Sequence, residues 1–304
     1  MKERADVSIV VPTLNGERHL YRLLKTVFSQ RYNGHIEVVI IDSNSTDRTV
    51  EIAGEFPGTH VHRIHNFSHG RSRNLGVSYA QNDYLVFMAQ DALPANDIWL
   101  RNLVKELDTE EIGAAFSRQV PYADATPMET FFIRRHFPRR RMVRQSPRGG
   151  NCPLSAIFFS NVSAITTRSI IEKFPFDEEI IMSEDQLFAK NVLEAGYRTV
   201  YTPESVVHHS HRYSLRTVFR RYFDSLYSLR DITGQNLLDV FLQGKSYVTD
   251  EAIHIITKRP LWIPYYLGYT LLKVAGTISG HFGKYLPRCV ARCLSMHKYY
   301  WNQR

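Results

Sequence analysis

The segment VSIVVPTLNGERHLYRLLKTVFSQ, residues 7–30, carries the two patterns that decide the fold of the first half of the chain. Val7–Pro12 is a nearly continuous run of apolar and β-branched residues, which is typical of a strand buried on both faces of a sheet. Glu17–Gln30 has a helix-like pattern instead, and a short polar turn separates the two. The segment therefore predicts one strand–turn–helix unit.

The same unit recurs over the first 120 residues. Three more segments are strand-like: Ile36–Asp42, Thr59–Ile64 and Tyr84–Gln90. Three more are helix-like: Asp47–Glu55, Gly70–Ala80 and Asp97–Leu107. Strands that alternate with helices through short links predict an α/β fold, with a parallel sheet covered on both faces.

In sheets of this kind, ligands bind beyond the carboxyl ends of the strands. The residues at those ends are Thr13–Glu17, Asp42–Thr46 and Gln90–Ala92. We therefore expect the carboxylates of Asp42 and Asp91 to lie on the same rim of the sheet.

Composition limits the class of protein. The chain has 304 residues, of which 43% are apolar and 22% charged, as expected for a globular protein with a sizeable core. Its net charge of +8 suggests an anionic partner such as a nucleotide diphosphate, a lipid headgroup or nucleic acid. Nucleic acid is disfavoured, because the chain has no zinc pattern and no aromatic RNA-binding motif.

The cysteines and the N-terminus indicate the compartment. Cys152, Cys289 and Cys293 form no CxxC pair, which argues for a reducing environment. The chain begins MKERADVSIVVP and enters a strand without an apolar signal region, so we expect a cytoplasmic protein.

Two segments raise the question of a membrane. Leu261–Gly280 has the length of a transmembrane span but contains Pro264 and Lys273, so we expect a buried or interface-lying helix there. No acid occurs from Thr130 to Ile171, and this stretch holds seven arginines between Arg134 and Arg148. Within it, RRHFPRRRMVRQSPRGG, which begins at Arg134, is interpreted as a mobile basic loop, which either is solvated or touches an anionic acceptor or membrane surface. The aromatic cluster of Trp262, Tyr265 and Tyr266 fits peripheral binding at the inner membrane.

The second half of the chain predicts a change of architecture. Phe158–Arg168 is strand-like, and EDQLFAKNVLEAGY, which begins at Glu184, is helix-like with a glycine stop. From Ser214 onward the pattern is helical, with no further strand. We therefore place a boundary near residue 213, with an α/β domain over residues 1–213 and a helical region over 214–304, which could contact an acceptor, a membrane or a second copy.

Asp91 follows a buried strand and is a candidate ligand for a divalent metal. Gln90 stands where a second acid would complete a DxD pair, so a partner is needed, and His209 or His211 could supply it. Imidazole plus carboxylate suits Mn²⁺ at least as well as Mg²⁺. The alternative is that these histidines merely line a polar loop.

Other polar residues also have two interpretations. Asp42 either accepts a hydrogen bond from a base or ribose, or only forms a turn. Glu184 and Asp185 either begin a helix with Ser183 as its cap, or supply a general base. Arg71 and Arg73 lie near a helix start, where a diphosphate could bind.

The order of these motifs is more specific than any one of them. VSIVVPTLNGERHLYRLLKTVFSQ, VVIIDSNSTDRTVEIA, an acid after a hydrophobic strand, and SEDQLFAKNVLEAGY together resemble family 2 glycosyltransferases of the GT-A fold, over residues 7–213. FSHGRSRNLG, LVFMAQDALPANDIWL, FFSNVSAI, HSHRYSL and the closing SMHKYYWN resemble the bacterial rhamnosyltransferase branch.

This resemblance implies a Rossmann-like mixed, mostly parallel sheet flanked by helices, with a C-terminal helical extension. It assigns nucleotide binding to Pro12, Thr13, Asn15, Glu17, Asp42, Asn44, Arg71, Gln90 and Asp91, with Asp42 at a pyrimidine base and Arg71 near the diphosphate. It assigns a Mg²⁺ or Mn²⁺ site to Asp91, His209 and His211. It makes Asp185 the catalytic base, with Glu184 beside it.

The resemblance also implies an activity: inverting transfer of L-rhamnose from dTDP-rhamnose to a saccharide or lipid-linked saccharide acceptor, in bacterial surface polysaccharide assembly such as that of O-antigen. The enzyme would work in the cytoplasm or peripherally at the cytoplasmic face of the inner membrane. The alternatives are a UDP-hexose or UDP-N-acetylhexosamine donor, or a nucleotide-sugar-binding protein without activity. A homodimer formed through the C-terminal helices is left open.

Overall fold

The computed structural model describes residues 5–146 and 154–302, so Cys152 and Arg148 lie outside the described residues. The chain forms two compact units. The first comprises Met1–Val120, Phe137–Glu179 and Glu184–His209. The second comprises Pro121–His136, Ile180–Ser183 and Ser210–Arg304.

The first unit is built on one mixed sheet. Its strands are β1 (Val7–Thr13), β2 (Ile36–Asp42), β3 (Thr59–Arg63), β4 (Tyr84–Met88), β5 (Leu93–Pro94), β6 (Ile112–Val120), β7 (Met142–Arg144), β8 (Ser163–Thr167) and β9 (Arg198–His208). Among the described residues their order is β3-β2-β1-β4-β8-β6-β9-β5, and β7 pairs with β9. Strands β3, β2, β1 and β4 are parallel, whereas β8 is antiparallel to both of its neighbours.

The helices follow the predicted pattern in this unit and extend it in the other. They are α1 (Glu17–Phe28), α2 (Thr49–Gly54), α3 (His69–Tyr79), α4 (Trp99–Val104), α5 (Pro127–His136), α6 (Leu154–Ile157), α7 (Arg168–Lys173), α8 (Glu184–Glu194), α9 (Leu215–Thr233), α10 (Leu237–Lys258), α11 (Ile263–His281), α12 (Arg288–Leu294) and α13 (Lys298–Asn302). The mixed α/β fold with a helical C-terminal region is confirmed.

The apolar runs account for the core of the first unit. Ile9, Val10 and Val11 on β1 are at most 1% exposed, because both faces of the strand are covered. Helix α1 buries Leu20 and Leu24, which lie one turn apart on its apolar stripe. Burial of each such side chain stabilises the fold by roughly 1.5–3 kcal/mol.

Two elements depart from the sequence-based expectation. The strand expected over Phe158–Arg168 begins only at Ser163. The basic stretch expected to be one loop is divided: Arg134 and Arg135 end helix α5 of the second unit, whereas Arg144 ends strand β7 of the first. Helix α5 is held by the buried side chains of Met128 and Ile133, whereas β7 is held by backbone pairing with β9.

The arginines of this stretch also have partners within their own units. Arg141 pairs with Glu106, a carboxylate that is only 5% exposed, at 2.7 Å. The guanidinium of Arg144 lies over the ring of Phe116, and burial lowers the pKa of Arg144 to about 10. The stretch is therefore in part a structural feature of the fold.

The second unit is helical. The closing SMHKYYWN segment packs on α9, where Asp224 Oδ2 accepts the backbone N–H groups of Met296 at 2.8 Å and His297 at 3.2 Å. Tyr300 and Trp301 are buried in a cluster with Phe223. This motif therefore anchors the end of the chain within the unit.

Helix α11 corresponds to the segment with the length of a membrane span. Across the described residues, no helix combines the length and the apolar character needed to cross a bilayer. Lys273 explains part of this result, because its ammonium is buried and pairs with Glu251 at 3.1 Å. The ammonium also lies 4.2 Å from the centre of the Tyr247 ring.

Candidate active site

The ends of β1 and β2 are joined by a buried carboxylate. Asp42 Oδ1 accepts hydrogen bonds from the hydroxyls of Thr13, at 3.2 Å, and Ser45, at 2.5 Å. Its Oδ2 accepts the backbone N–H of Ser45 at 3.0 Å, and Asp42 is 0% exposed. Asp42 thus has the turn-forming role that the sequence left open as the alternative to base contact.

Two asparagines hold the loops that follow these strands. Asn15 and Asn44 have φ angles of 48° and 62°, in the left-handed region that few residues other than glycine adopt. Asn15 Oδ1 accepts the backbone N–H of Thr46 at 2.9 Å. Asn44 Nδ2 donates to the carbonyl of Ile64 at 3.3 Å. Such left-handed residues persist where surrounding contacts fix them, often at ligand sites.

Glu17 continues this set of contacts. Its Oε2 accepts the backbone N–H of Arg48 at 3.1 Å, while its own N–H donates to Asp47 Oδ2 at 3.1 Å. Pro12 lies one residue before the end of β1, paired in register with Ile41 of β2. The predicted nucleotide-binding residues of β1 and β2 are therefore brought together at one edge of the sheet.

Gln90 joins the end of β4 to the same edge. Its Oε1 accepts the backbone N–H of Leu14 at 3.0 Å, and its Nε2 donates to the carbonyl of Leu14 at 3.1 Å. Gly16 leaves room for this amide, since a Cβ there would lie 2.6 Å from Gln90 Oε1. A carboxylate could accept from Leu14 but could not donate, which gives a physical reason for an amide in place of a second acid.

Asp91 faces a histidine with a fixed ring. Its Oδ1 lies 3.6 Å from His209 Nε2, and the two side chains are 27% and 9% exposed. His209 Nδ1 donates to Gln119 Oε1 at 2.9 Å, and Gln119 Nε2 donates to Ser160 Oγ at 2.9 Å. In the neutral ring this network leaves the lone pair of Nε2 directed toward Asp91. Metal-binding histidines are oriented in this way, through the other ring nitrogen.

His211 follows two residues later and belongs to the second unit. There its backbone N–H donates to Glu129 Oε1 at 3.4 Å, and its ring centre lies 4.9 Å from that of Tyr213. Burial raises the pKa of Glu129, while the positive charge of Arg221 and the N–H of His211 act in the opposite direction.

The two arginines of helix α3 bind carboxylates. Arg71 Nε pairs with Glu178 Oε2 at 2.9 Å, although Arg71 keeps 32% of its side chain exposed. Arg73 Nη1 pairs with Glu184 Oε1 at 2.9 Å, and both side chains are buried. Arg73 therefore has a structural role, and a diphosphate cannot reach it as the helix-start pattern suggested.

Asp185 is the partly exposed member of the acidic pair at the start of α8. Its Oδ2 accepts the backbone N–H of Asn161 at 3.2 Å, and its Oδ1 accepts that of Gln186 at 2.9 Å. Burial, followed by the charge of Glu184, raises the pKa of Asp185 to about 7. Ser183, the predicted cap, has a φ of 69°, outside the extended region that N-caps adopt.

The sheet places Asp91 and Asp185 at the same edge. Strand β4 leaves the sheet at the end where the antiparallel β8 enters it, with Met88 opposite Ser163. Ala89 N–H donates to the carbonyl of Val162 at 3.1 Å, so the chain just before Asp91 runs beside the chain that holds Asp185. Asp42, at the end of β2, shares this edge, as expected from the parallel strands.

Sequence patterns missed several residues of this site. Gln119, Ser45 and Glu178 each bind a predicted site residue through its side chain. Glu178 lies 107 positions from Arg71, and Gln119 lies 90 from His209, so no local pattern could pair them.

Asn161 is 2% exposed, and its side-chain amide has no hydrogen-bond partner among the described residues. Unsatisfied buried groups of this kind are rare in native proteins.

Comparison with known proteins defines the class of protein. The profile of glycosyl transferase family 2 matches residues 8–174, which include both sheet-edge loops and Asp91. This chain belongs to that family and is a glycosyltransferase, and the predicted family is confirmed.

Two relatives match the chain along nearly its whole length. The O-antigen chain rhamnosyltransferase RfbN of Salmonella typhimurium is 31% identical over 307 residues, which cover 97% of this chain and 96% of that protein. The O-antigen chain rhamnosyltransferase WbaN of Salmonella anatum is 30% identical over 300 residues, with 97% and 95% covered.

Among solved structures, the mannosyltransferase PcManGT of Pyrobaculum calidifontis, in complex with GDP-Man and Mn²⁺, superposes with a TM-score of 0.66. It is 18% identical, and the match covers 92% of this chain and 88% of that one. This likeness confirms the mixed α/β fold.

The amide of Gln90 yields a first testable prediction. Gln90→Glu should lower the free energy of unfolding by about 1–2 kcal/mol, because an ionised carboxylate cannot donate to the carbonyl of Leu14. Urea denaturation measures this change, and the exposed Gln243→Glu on α10 is the matched control. Equal stability of the two variants would show that the Gln90–Leu14 pair does not support the loop.

Proposed function

We propose that the protein is an inverting rhamnosyltransferase, which moves L-rhamnose from dTDP-rhamnose to a saccharide acceptor in bacterial surface polysaccharide assembly. The observation that carries the reaction type is the placement of Asp91 and Asp185 at one sheet edge, one facing a histidine and the other held by the chain before β8. The choice of sugar is supported by the two rhamnosyltransferases that match over 97% of the chain.

The nucleotide would bind across the ends of β1, β2 and β4. Pro12, Thr13, Asn15 and Glu17 line the first loop, and Asn44 the second. We assign Asp42 to the pyrimidine pocket, which it shapes through the turn at Ser45. Because these loops are already fixed by hydrogen bonds, little ordering would oppose binding.

Arg71 is the proposed diphosphate contact on α3. It is partly exposed and lies in the first turn of the helix, where N–H groups also favour an anion. In the structure its guanidinium is shared with Glu178, so a diphosphate would compete with that carboxylate. The competition would weaken the contact but would keep the side chain in place.

The residues around Asp91 fit a divalent metal. Two electron-rich atoms, Asp91 Oδ1 and His209 Nε2, face each other at 3.6 Å, while Gln119 fixes the ring by accepting the other N–H. We propose that Asp91 and His209 hold Mn²⁺ or Mg²⁺, and imidazole favours Mn²⁺. When bound, the metal would stabilise the negative charge that develops on the departing diphosphate.

Asp185 is the proposed catalytic base. An acceptor hydroxyl oxygen attacks the anomeric carbon, the bond from that carbon to the diphosphate oxygen breaks, and the hydroxyl proton passes to Asp185. A base with a pKa near the working pH is best suited to this transfer, and burial raises the pKa of Asp185 to about 7. Glu184, the preceding residue, is held in an ion pair with Arg73, and its negative charge contributes to the raised pKa of Asp185.

The acceptor would contact the helical second unit. A pocket there is lined by Thr126, Met128, Glu129, His211, Tyr213, Tyr265 and Tyr269. The pocket is too small for a sugar ring, but its aromatic faces and its carboxylate are side chains that can contact one, since sugar C–H groups pack on rings and sugar hydroxyls donate to oxygen atoms. We propose this unit as the region that contacts the acceptor, and the α/β domain as the site of donor binding.

We also propose that the enzyme works in the cytoplasm, peripherally at the inner membrane, where a lipid-linked acceptor would be available. Members of the basic stretch that are exposed, and so suited to an anionic surface, include Arg134, Arg139 and Arg140. Tyr266 is not suited to lipid contact, because it is 6% exposed and packs against Met128 and Ile255.

Donor selection tests this function directly. Purified protein should turn over dTDP-rhamnose with a lipid-linked saccharide acceptor, and dTDP should raise the Tm more than UDP or GDP does at equal concentration. Product analysis by mass spectrometry and a thermal-shift titration give the two readouts. Turnover of a UDP-hexose or UDP-N-acetylhexosamine, with dTDP-rhamnose inert, would refute the assigned sugar.

The acidic limb of the rate profile tests the base. Asp185 must be ionised to accept a proton, so kcat/KM should fall as the pH drops through about 7, rather than near 4. Asp185→Asn should lower kcat by about 10²- to 10⁴-fold and leave dTDP binding intact. Glu194→Gln, on the exposed end of the same helix, is the control and should keep normal kcat. Near-normal turnover by Asp185→Asn would exclude it as the base.

The hydrogen bond between His209 and Gln119 provides a test of the metal site. Gln119→Leu removes the acceptor that orients the ring, and should weaken Mn²⁺ binding about 10- to 100-fold. Electron paramagnetic resonance titration of Mn²⁺ in the presence of dTDP measures the affinity, and exposed Gln243→Leu is the control. Unchanged affinity in both Gln119→Leu and Asp91→Asn would place the metal elsewhere.

A further inference from the structure

Helix α11 has an unusual exposed face. Its exposed residues are Pro264, Leu267, Leu271 and Ile278, and each of them is apolar. Leu267 and Leu271 are 64% and 70% exposed. Successive intervals of three, four and seven residues place them along one stripe of the helix.

The opposite face of α11 is the one that packs within the second unit. Its buried residues are Tyr266, Lys273, Gly276, Thr277 and Gly280. A Cβ at Gly276 or Gly280 would lie 2.4 or 2.2 Å from the carbonyl oxygens of Phe219 and Phe223, so the small residues allow α9 to pack closely. Packing with α9 therefore leaves the apolar stripe uncovered among the described residues.

A solvent-facing helix of this chain has a different composition. Helix α1 exposes Glu17, Arg18, Tyr21, Arg22 and Lys25, of which four are charged. The single charge within α11, Lys273, is turned inward to Glu251. An apolar stripe without any charge is typical of a surface that contacts an apolar partner.

Charge around the stripe indicates which partner it is. From Ala252 to the last residue the sequence has no Asp or Glu, and it has eight basic residues: Lys258, Arg259, Lys273, Lys284, Arg288, Arg292, Lys298 and Arg304. Lys258 and Arg259 are exposed just before α11, next to Leu261, which is 94% exposed. Lys284 and Arg288 are exposed just after it, and Lys284 shares its charge with the exposed Asp231 at 2.6 Å.

We infer that the exposed face of α11 lies on an anionic lipid bilayer, with its apolar stripe at the headgroup–acyl boundary and the basic residues at its two ends on lipid phosphates. Apolar contact combined with basic residues is the requirement for interfacial binding without a span. A second copy of the chain would instead bring together two surfaces on which basic residues are in excess, which like-charge repulsion opposes. The inference deepens the proposed membrane contact and rests on it, but not on the identity of the donor sugar.

Vesicle binding tests the inference. Wild-type protein should co-sediment with vesicles of phosphatidylcholine and phosphatidylglycerol, less with phosphatidylcholine alone, and less at high salt. Leu267→Gln/Leu271→Gln should weaken this partition about tenfold or more, because two apolar side chains no longer enter the bilayer. Ile98→Gln/Val143→Gln, at exposed apolar positions of the first unit, is the matched control and should bind normally.

Fluorescence gives a second readout at the helix itself. Trp99 and Trp301 are buried, whereas Trp262, just before α11, is partly exposed. Vesicles with brominated acyl chains should therefore quench Trp262, and Trp262→Phe should remove that quenching.

Each result has a defined meaning. If the wild-type protein does not bind anionic vesicles, both the membrane contact and its assignment to α11 are overturned. If the α11 variant binds these vesicles as well as the wild type does, only the assignment to α11 is overturned. A wild-type dimer in size-exclusion chromatography that the α11 variant converts to a monomer, with vesicle binding unchanged, would assign the face to a second copy. Turnover on a water-soluble acceptor should be equal in wild type and variant, so a failed sugar-transfer assay and a failed lipid assay are distinguishable.

Discussion

The site depends on the antiparallel insertion of β8 between β4 and β6. Parallel strands alone would bring Asp42 and Asp91 to one edge of the sheet. They would not explain why the helix that carries Asp185 begins at the same edge. Because β8 runs in the opposite direction, the chain that enters it starts where β4 ends. The backbone of Asn161, just before β8, then donates directly to the carboxylate of Asp185. One reversal of strand direction thereby places two acids from distant parts of the sequence at the same edge.

Hydrogen bonds and ion pairs at this edge give different roles to the carboxyl groups of Asp42, Glu184 and Asp185. Asp42 is fully buried and its oxygens accept three hydrogen bonds, so it acts on the loop around it. Glu184 is buried in an ion pair with Arg73, and its charge helps to raise the pKa of its neighbour, Asp185. The protonated form of Asp185 is thus favoured in the fold, and stability gained from it is lost as the pH rises through about 7. This loss of folding stability at neutral pH is consistent with a carboxyl group that is retained for function.

Strong local patterns predicted the first half of the sheet, while long-range pairing decided the rest. The strands β1, β2 and β4 are continuous apolar runs, and the residues at their ends were identified from that pattern alone. Strand β6 combines Gly113 and two alanines with three consecutive polar residues, and β9 contains Pro203 and a change of register, so neither has a clear strand signal. Gln119, the partner of His209, lies on β6, which explains why it was not foreseen. Glu178 lies 107 positions from Arg71, beyond the reach of any local pattern. The prediction that the basic stretch forms one loop was also wrong, because Arg141 and Arg144 find their partners through tertiary packing.

The central claim is that the leaving diphosphate is held at Asp91 and His209, on the sheet edge that also carries Asp185. Anomalous diffraction at the manganese edge, from crystals grown with dTDP and Mn²⁺, measures this directly. The account predicts one strong peak in coordination contact with Asp91 and His209 Nε2, with the dTDP phosphates bound to it. A peak at other carboxylates, with dTDP bound away from Asp91, would contradict the account.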